Sequence, residues 1–321
     1  MAYNNVYVLE SGGESVLIDT GPDYEGAREV LAGALGAKLP EVVLATHGHL
    51  DHAGLGRWWE SRGVSVALHE ADLHFSGGPQ LADEAEFRLF AEFVGASGAP
   101  AELQLELLDG LRTRREWAKV AASAPEYRPA GRDGRWPSGL HYEPFAPSVV
   151  IAAARQALGA GTSALFCPGH TPGNLVAIVE GEGWLFSGDQ LLPEISPTPA
   201  VQRSAGPGGA GVRFHSLPRF VESLVGLREH AFARCYPGHG EPFANVTEVI
   251  AANLSQIEQR TDRVRETLRE APATLFGACQ ALYSRAVAKR FWQIAATVQG
   301  HLDLLEERHE VRSVEGCFEL T

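Results

Sequence analysis

Three histidines and an aspartate lie within a single short stretch of the segment LATHGHLDHAG, directly after an apolar run. They are His47, His49, Asp51 and His52. An extended-to-loop backbone can aim residues i and i+2 at one ion and residues i+4 and i+5 at a neighbouring one. Imidazole and carboxylate groups together suit zinc, iron or manganese. This spacing favours a metal site over a polar loop of solvated histidines.

Three more strand ends carry a residue of ligand type beside glycine. The segments read CPGHTPG, FSGD and YPGHG, and they contribute His170, Asp189 and His239. Glycine lets a backbone approach a site closely, because it has no side chain to collide with the bound group. A further aspartate, Asp19, stands in the segment LIDTG, again after an apolar run. The chemistry-bearing residues therefore recur at several strand ends.

The elements that position these residues follow from short apolar runs bounded by glycine and polar turns. Strands are predicted at Val6–Leu9, Val16–Ile18, Val42–Ala45, Val64–Leu68, Val149–Ala152, Ala164–Cys167, Val176–Val179, Trp184–Ser187 and Ala233–Tyr236. Helices are predicted at about Tyr24–Leu35, Arg57–Arg62 and Leu217–Leu227. Strands that alternate with helices predict a layered α/β fold with its chemistry in loops at strand ends.

Two other parts of the chain have a helical pattern. Phenylalanines and leucines recur at helical spacing between Phe87 and Leu111, which predicts a helical insertion over about 78–135. The pattern is again helical over 246–321, except that Val311–Leu320 predicts a terminal hairpin. The expected domains are therefore 1–245, which contains the insertion, and 246–321.

The order HxHxDH, followed by His, Asp and His at these separations, resembles the metallo-β-lactamase superfamily over roughly residues 3–245. The resemblance implies an αββα sandwich with two divalent metal ions in a cleft, zinc being expected and manganese or iron the alternatives. Asp19 matches the superfamily's first motif and is expected to orient a metal ligand without binding the metal itself. The implied ligands are His47, His49 and His170 for the first metal, Asp51, His52 and His239 for the second, and Asp189 as the bridge.

The implied site predicts metal-assisted hydrolysis. Two divalent ions lower the pKa of a shared water from about 15.7 toward about 7 and polarise the oxygen of the bond under attack. A metal-bridging hydroxide is then the expected nucleophile, with Asp51 and Asp189 as the catalytic carboxylates. No GxSxG segment offers a serine instead, and Cys167 is interpreted as a core thiol at a strand end.

A second resemblance concerns the branch of the superfamily. The segments GDQLLPEISP and SLPRFVESLVGLREH…CYPGHGEP resemble glyoxalase-II-like hydrolases with a small C-terminal winged-helix-like domain, and Leu275–Leu320 is consistent with that module. Asp303 and its neighbouring glutamates make the last helix acidic, so packing or homodimer formation is favoured over nucleic-acid contact. The resemblance favours a small thioester or carboxylic ester as substrate. A phosphodiesterase or endoribonuclease and a lactonase are the alternatives, whereas a flavodiiron reductase is disfavoured because no flavin-binding loop is recognisable.

Basic residues are concentrated in segment 111–135, which carries seven of them against three acidic residues. This segment is either a solvated helix face or a lid whose guanidinium groups bind the phosphates of an anionic, coenzyme A-like substrate. The candidate substrate contacts are Arg112, Arg115, Phe87, Phe90 and His215.

The composition excludes several other classes of protein. A formal net charge of −13 disfavours a general binder of nucleic acid or anionic membranes. No run approaches the roughly 18–20 apolar residues of a membrane helix, and the N-terminal residues do not follow the pattern of a signal peptide. The four cysteines are dispersed, as expected for reduced thiols. A cytoplasmic enzyme is therefore expected.

Overall fold

The structure is a computed structural model that describes residues 4–36, 38–78, 80–123, 141–194, 199–204, 211–284 and 286–321. The predicted α/β fold is confirmed: two five-stranded sheets pack face to face, and helices cover both outer faces. Within the described ranges, no helix combines the length and apolar composition needed to cross a membrane.

The first sheet has the strand order β1-β2-β3-β4-β5. Its strands are β1 (Tyr7–Ser11), β2 (Glu14–Ile18), β3 (Val42–Leu44), β4 (Ser65–His69) and β5 (Val149–Ile151). β1 and β2 form an antiparallel hairpin, whereas β2 to β5 run parallel to one another. The carboxyl ends of parallel strands meet at one edge of the sheet. The loops that follow β2, β3 and β4 therefore lie side by side.

The second sheet has the order β10-β9-β8-β7-β6. Its strands are β6 (Arg155–Gly159), β7 (Thr162–Phe166), β8 (Leu175–Val179), β9 (Trp184–Gly188) and β10 (Arg234–Pro237). β9 and β10 are parallel, and the other pairs are antiparallel. The sequence analysis did not predict β6, because this edge strand is largely exposed and lacks an apolar run. His170, Asp189 and His239 lie in the loops that follow β7, β9 and β10.

Three apolar layers hold the two sheets and their helices together. Ile18, Leu44, Leu175 and Phe186 are among the residues buried between the sheets. Leu17 lies on the opposite face of β2 and packs toward the helices. Strands buried on both faces read as continuous apolar runs, which explains why they were predictable. The covering helices are α1 (Ala27–Leu35), α2 (Leu50–Ala53) and α3 (Gly56–Glu60) on the first sheet, and α6 (Ser216–Leu227) and the start of α7 (Val246–Glu270) on the second.

The helical insertion and the C-terminal helices form one further hydrophobic core. Leu89 and Phe93 of the insertion pack in the same cluster as Val264, Phe276 and Leu302. The predicted terminal hairpin is present, and it turns at residues 315 and 316. The elements of this region are α4 (Glu84–Ala96), α5 (Ala101–Ser123), α8 (Leu275–Tyr283), α9 (Ala286–Lys289), α10 (Phe291–Glu307), β11 (Val311–Val314) and β12 (Cys317–Leu320).

Candidate metal centre

The seven side chains that the sequence predicts as metal ligands come together at strand ends of the two sheets. A first group consists of His47, His49 and His170, whose potential ligand atoms lie within 4.8 Å of one another. The Nε2 atom of His47 lies 3.1 Å from Nδ1 of His49, and Nε2 of His170 lies 3.0 Å from that same atom. Three ring nitrogens that converge in this way are typical of residues that share a cation.

A second group lies beside the first and consists of Asp51, His52 and His239. The Nε2 atom of His239 lies 3.3 Å from Oδ2 of Asp51, and Nε2 of His52 lies 3.7 Å from the same oxygen. This set combines two imidazoles with one carboxylate. It therefore offers the mixed nitrogen and oxygen donors that zinc, manganese and iron accept.

Asp189 lies between the two groups. Its Oδ1 is 3.5 Å from Nε2 of both His52 and His239, whereas its Oδ2 is 3.6 Å from Nε2 of His170. One carboxylate oxygen thus faces each group. This is the position expected of a bridging ligand, although the bridging role itself stays a prediction.

Asp19 fixes the orientation of His52. Its Oδ1 accepts hydrogen bonds from the backbone N–H and the hydroxyl of Thr46, and its Oδ2 lies 2.7 Å from Nδ1 of His52. The Nε2 atom of His52 is thereby directed toward Asp51 and Asp189. Burial alone would lower the pKa of His52, but the Asp19 carboxylate, with Asp189 and Asp51, outweighs it and raises this pKa to about 10. Asp19 thus occupies the position expected of a residue that orients a ligand.

Burial sets the protonation of the first group. It lowers the pKa of His49 to about 4 and the pKa values of His47 and His170 well below their usual range. Neutral imidazole is the form that binds a metal cation, so these three side chains are held in the binding-competent state at neutral pH. Burial also raises the pKa of Asp189, whereas the pKa of Asp51 is lowered because its contacts with His239, His52 and His49 outweigh burial.

The buried polar atoms of this cluster fit a divalent cation. Oδ1 of Asp189, which faces His52 and His239, is buried without a hydrogen-bond partner among the described residues. Leaving such atoms unpaired costs free energy, so they usually have a partner. Neutral imidazoles and carboxylate oxygens grouped at these distances are suitable ligands for zinc, manganese or iron.

Asp72 is a positioning residue that the sequence analysis missed. It follows β4, and its fully buried carboxylate accepts hydrogen bonds from the N–H of Gly48, the hydroxyl of Thr171 and the N–H of Gly173. One side chain thereby joins the loop of His47 and His49 to the loop of His170. No motif marks Asp72, because its role depends on two loops that meet only in the folded chain.

The residues before β1 join two other loops of the site. The side-chain amide of Asn4 donates to the carbonyl of Asp51, and that of Asn5 donates to the carbonyls of Pro237 and Gly240. The HLDH segment and the PGHG segment are thereby held next to each other. The dipeptide Asn4-Asn5 was the signal in the sequence, but asparagine is common in loops and marks no specific contact.

Two glycines allow the ligand loops to approach their neighbours. A Cβ atom at Gly48 would lie 2.4 Å from Cβ of Phe75, and one at Gly238 would lie 2.7 Å from Cε1 of His52. Both distances are far shorter than van der Waals contact. The glycine between the first two histidines, and the one before His239, are therefore required by close packing.

A cavity of about 950 Å³ adjoins the cluster. His49 and Asp51 line one side of it, and apolar side chains of Phe75, Leu107 and Phe291 line much of the remainder. This volume is within the range of small-molecule binding sites, which are concave and largely apolar. The cavity therefore gives a substrate a place beside the ligand cluster.

The five predicted substrate contacts lie outside the described lining of this cavity. Phe90 packs edge-on against Trp292, and the centroids of the two rings lie 5.3 Å apart. Phe87 lies under the guanidinium of Arg115, which pairs with Glu84. Arg112 is exposed to solvent on α5. Nδ1 of His215 lies 3.6 Å from Oε1 of Glu307. Their role in substrate binding stays a prediction, and residues 124–140 of the basic segment, including Arg128, Arg132 and Arg135, lie outside the described residues.

Cys167 is confirmed as a core thiol. It is buried in the cluster under α6, and burial raises the pKa of its thiol to about 12. The thiol is therefore protonated at neutral pH and is a poor nucleophile.

An αββα sandwich with a histidine and aspartate cluster at its strand ends defines the class of metallo-hydrolases. The chain belongs to the metallo-beta-lactamase superfamily, whose sequence model matches residues 2–239. It is 27% identical to the probable metallo-hydrolase YqjP of Bacillus subtilis (strain 168) over 96% of this chain and 89% of that protein. Members of this superfamily typically bind metal ions.

Two further similarities concern a fungal protein and a solved structure. The chain is 24% identical to an atrochrysone carboxyl ACP thioesterase of Aspergillus fumigatus, over 81% of this chain but 58% of that longer protein. The crystal structure of a metallo-beta-lactamase family protein from Thermus thermophilus superposes with a TM-score of 0.70 and 25% identity. That likeness covers 100% of this chain and 96% of the other, so it extends over the helical regions as well as the sandwich.

Proposed function

We propose that the protein is a dinuclear metal-dependent hydrolase that cleaves a thioester or a related carboxylic ester. The observation that carries this proposal is the convergence of seven histidine and aspartate side chains from four strand ends. When bound there, two divalent ions would supply an activated water at neutral pH and polarise the carbonyl oxygen of the substrate. Zinc is the expected metal, with manganese or iron as alternatives.

In this proposal each side chain has a defined task. His47, His49 and His170 would hold one cation, Asp51, His52 and His239 would hold the other, and Asp189 would serve both. Asp19 orients His52, and Asp72 holds the two loops of the first group in register. The carboxylates of Asp51 and Asp189 are also the groups positioned to accept a proton at the reacting centre.

The choice of a thioester has two supports. Several relatives of the chain are named atrochrysone carboxyl ACP thioesterases, and apolar side chains such as Phe75, Leu107 and Phe291 line part of the cavity beside the cluster. A small acyl thioester, on a coenzyme A-like or other anionic carrier, suits such a site better than a nucleic acid does, since the chain has a formal charge of −13. A cytoplasmic location, a glyoxalase-II-like mechanism and a winged-helix role for the C-terminal region belong to the same proposal.

The first test is thiol release from acyl-coenzyme A and acyl-glutathione thioesters by protein loaded with zinc or manganese. Metal content is measured in parallel on the wild type and on His47→Ala. Turnover by the wild type that the substitution abolishes supports the proposal. Hydrolysis of phosphodiesters, RNA or lactones, with no thioester turnover by fully loaded protein, would replace it with one of the alternatives.

A further inference from the structure

The cavity beside the ligand cluster is enclosed by two walls from different parts of the chain. One wall is the inner face of α5, with Leu107, Gly110 and Ala118. The opposite wall is the end of α9 and the first turn of α10, including Phe291 and Trp292. Phe75, which also packs against the Gly48 backbone, lies between these walls and the ligand loop. Aromatic and aliphatic groups therefore form part of the boundary of the space next to His49 and Asp51.

Charged groups of both signs also contact this cavity. Glu106 and Asp109 come from α5, and Lys289 and Arg290 come from the junction of α9 and α10. All four are exposed, whereas Phe75 and Phe291 are buried. The charges therefore belong to the solvent side, and Arg114 of α5 adds a further basic group to the lining. A ligand that extends from the ligand cluster into the cavity meets apolar surface first and charged groups near solvent.

Gly110 is an unusual residue in the wall. It lies in the middle of the 23-residue helix α5, where glycine is less favourable than alanine. A Cβ atom built at this position has no described heavy atom within 4 Å, so helix packing does not require glycine here. The backbone conformation does not require it either, because Gly110 is absent from the described residues with positive φ. Gly110 belongs to the cavity lining, so the absence of a side chain there adds no bulk to this wall.

We infer that this cavity binds the apolar acyl group of the substrate, and that Gly110 sets the size of the acyl group that fits. The inference rests on the proposed thioesterase function and deepens it. The acyl carbonyl lies beside His49 and Asp51, the chain or ring extends between Gly110 and Trp292, and the polar carrier remains near the charged outer groups. Side chains introduced at position 110 project into the space that a long acyl group fills and a short one leaves empty.

The test compares Gly110→Ala, Gly110→Leu and Gly110→Phe with the wild type, using acetyl and decanoyl thioesters of N-acetylcysteamine. We expect kcat/KM for the decanoyl thioester to fall stepwise, by about tenfold or more for leucine and phenylalanine, while the acetyl value stays within about twofold. The matched control is Gly95→Leu in α4, a helical glycine that is also free of close contacts but lies outside the cavity lining. This control substitution should leave kcat/KM for both thioesters unchanged.

A binding measurement keeps this inference separate from the proposed activity. The probe is the non-hydrolysable decyl thioether of N-acetylcysteamine, titrated by calorimetry. Binding that weakens in Gly110→Leu but not in Gly95→Leu supports the acyl site, even if the wild type hydrolyses no thioester and the proposed function fails. Equal affinity of the wild type, Gly110→Leu and Gly95→Leu for the thioether would overturn the assignment of the cavity. A parallel fall in the hydrolysis of the acetyl and decanoyl substrates by the Gly110 variants would overturn it as well. Turnover of the acetyl substrate by the wild type would still support the thioesterase.

Discussion

The ligand cluster and the cavity beside it are assembled in different ways. Four of the seven ligand candidates come from the loop after β3 and the short helix α2 that follows it, and the others lie within four residues of the end of a strand. The cavity walls come from α5 and α10, which lie far apart in the sequence and meet only through tertiary packing. The cluster thus depends on strand ends that the sheets fix, whereas the cavity depends on how the helical regions pack together. Substitutions in the walls from α5 and α10 can therefore change the cavity without replacing a ligand candidate.

The largest expected effect comes from removing a ligand of the cluster. Asp189→Ala removes the carboxylate that faces both groups, so kcat/KM should fall by more than about 100-fold, exceeding the loss typical of an outer partner. Metal analysis should show a reduced metal content in the purified variant. A variant that keeps both the metal and the activity of the wild type would contradict the bridging position. Gly110→Leu keeps every ligand candidate of the cluster, so its metal content serves as the comparison for Asp189→Ala.

A smaller but still large effect is expected at Asp72. Replacement by alanine leaves two N–H groups and a hydroxyl without their buried acceptor, so the free energy of unfolding should fall by about 3 kcal/mol. Activity should fall by about 10- to 100-fold, because the two ligand loops lose their common partner. Urea unfolding and initial rates measure the two effects. Unchanged stability and unchanged rates would show that the loops hold their positions without this residue.

The helical region offers a pH-dependent comparison through His301. This side chain is buried beside the Thr261 hydroxyl, and burial lowers its pKa to about 4. The unfolded chain binds the proton near the ordinary pKa of about 6.5, so the contribution of His301 to stability is present above that pH. It is lost progressively as the pH falls from about 6.5 toward 4.

Between pH 7 and pH 5 this loss should amount to about 2 kcal/mol of unfolding free energy. Urea titrations at the two pH values measure it. His301→Gln should remove that share of the pH dependence while leaving the metal content unchanged, since His301 lies in the helical core. An identical pH dependence in the variant and the wild type would show that His301 is not the titrating group.

The smallest expected effect concerns Gly110→Ala in the cavity wall. Alanine favours the interior of a helix over glycine, so the free energy of unfolding should rise by up to about 1 kcal/mol. The Cβ atom has space, and no packing is disturbed. Thermal unfolding of the variant beside the wild type measures the gain. A loss of stability would mean that the helix backbone at this position is more tightly constrained than its neighbours indicate.

The sequence predicted which side chains come together in the cluster, because residue type and spacing carry that information. His47, His49 and Asp51 lie within five consecutive residues of the chain, so a strand end is enough to bring them together. The hydrogen bonds of Asp72 and Asn4 depend on neighbouring loops, and no local pattern reports such neighbours. Phe90 shows the same limit: its helical spacing identified a buried face, but its partner Trp292 belongs to a distant helix. β6 was missed for a local reason, since an exposed edge strand has no apolar run.

The core shared by the insertion and the C-terminal helices has a consequence for protein synthesis. α4 leaves the ribosome before α7, α8 and α10 have been made, so the nascent chain carries Leu89, Phe93 and Val94 without most of their partners. Contacts between distant parts of a chain form late, and apolar surface that waits for them is prone to aggregation. A gene shortened at the predicted boundary after residue 245 would leave that surface uncovered permanently. The cavity wall from α10 would also be missing, so such a fragment is a poor choice for expressing the catalytic part by itself.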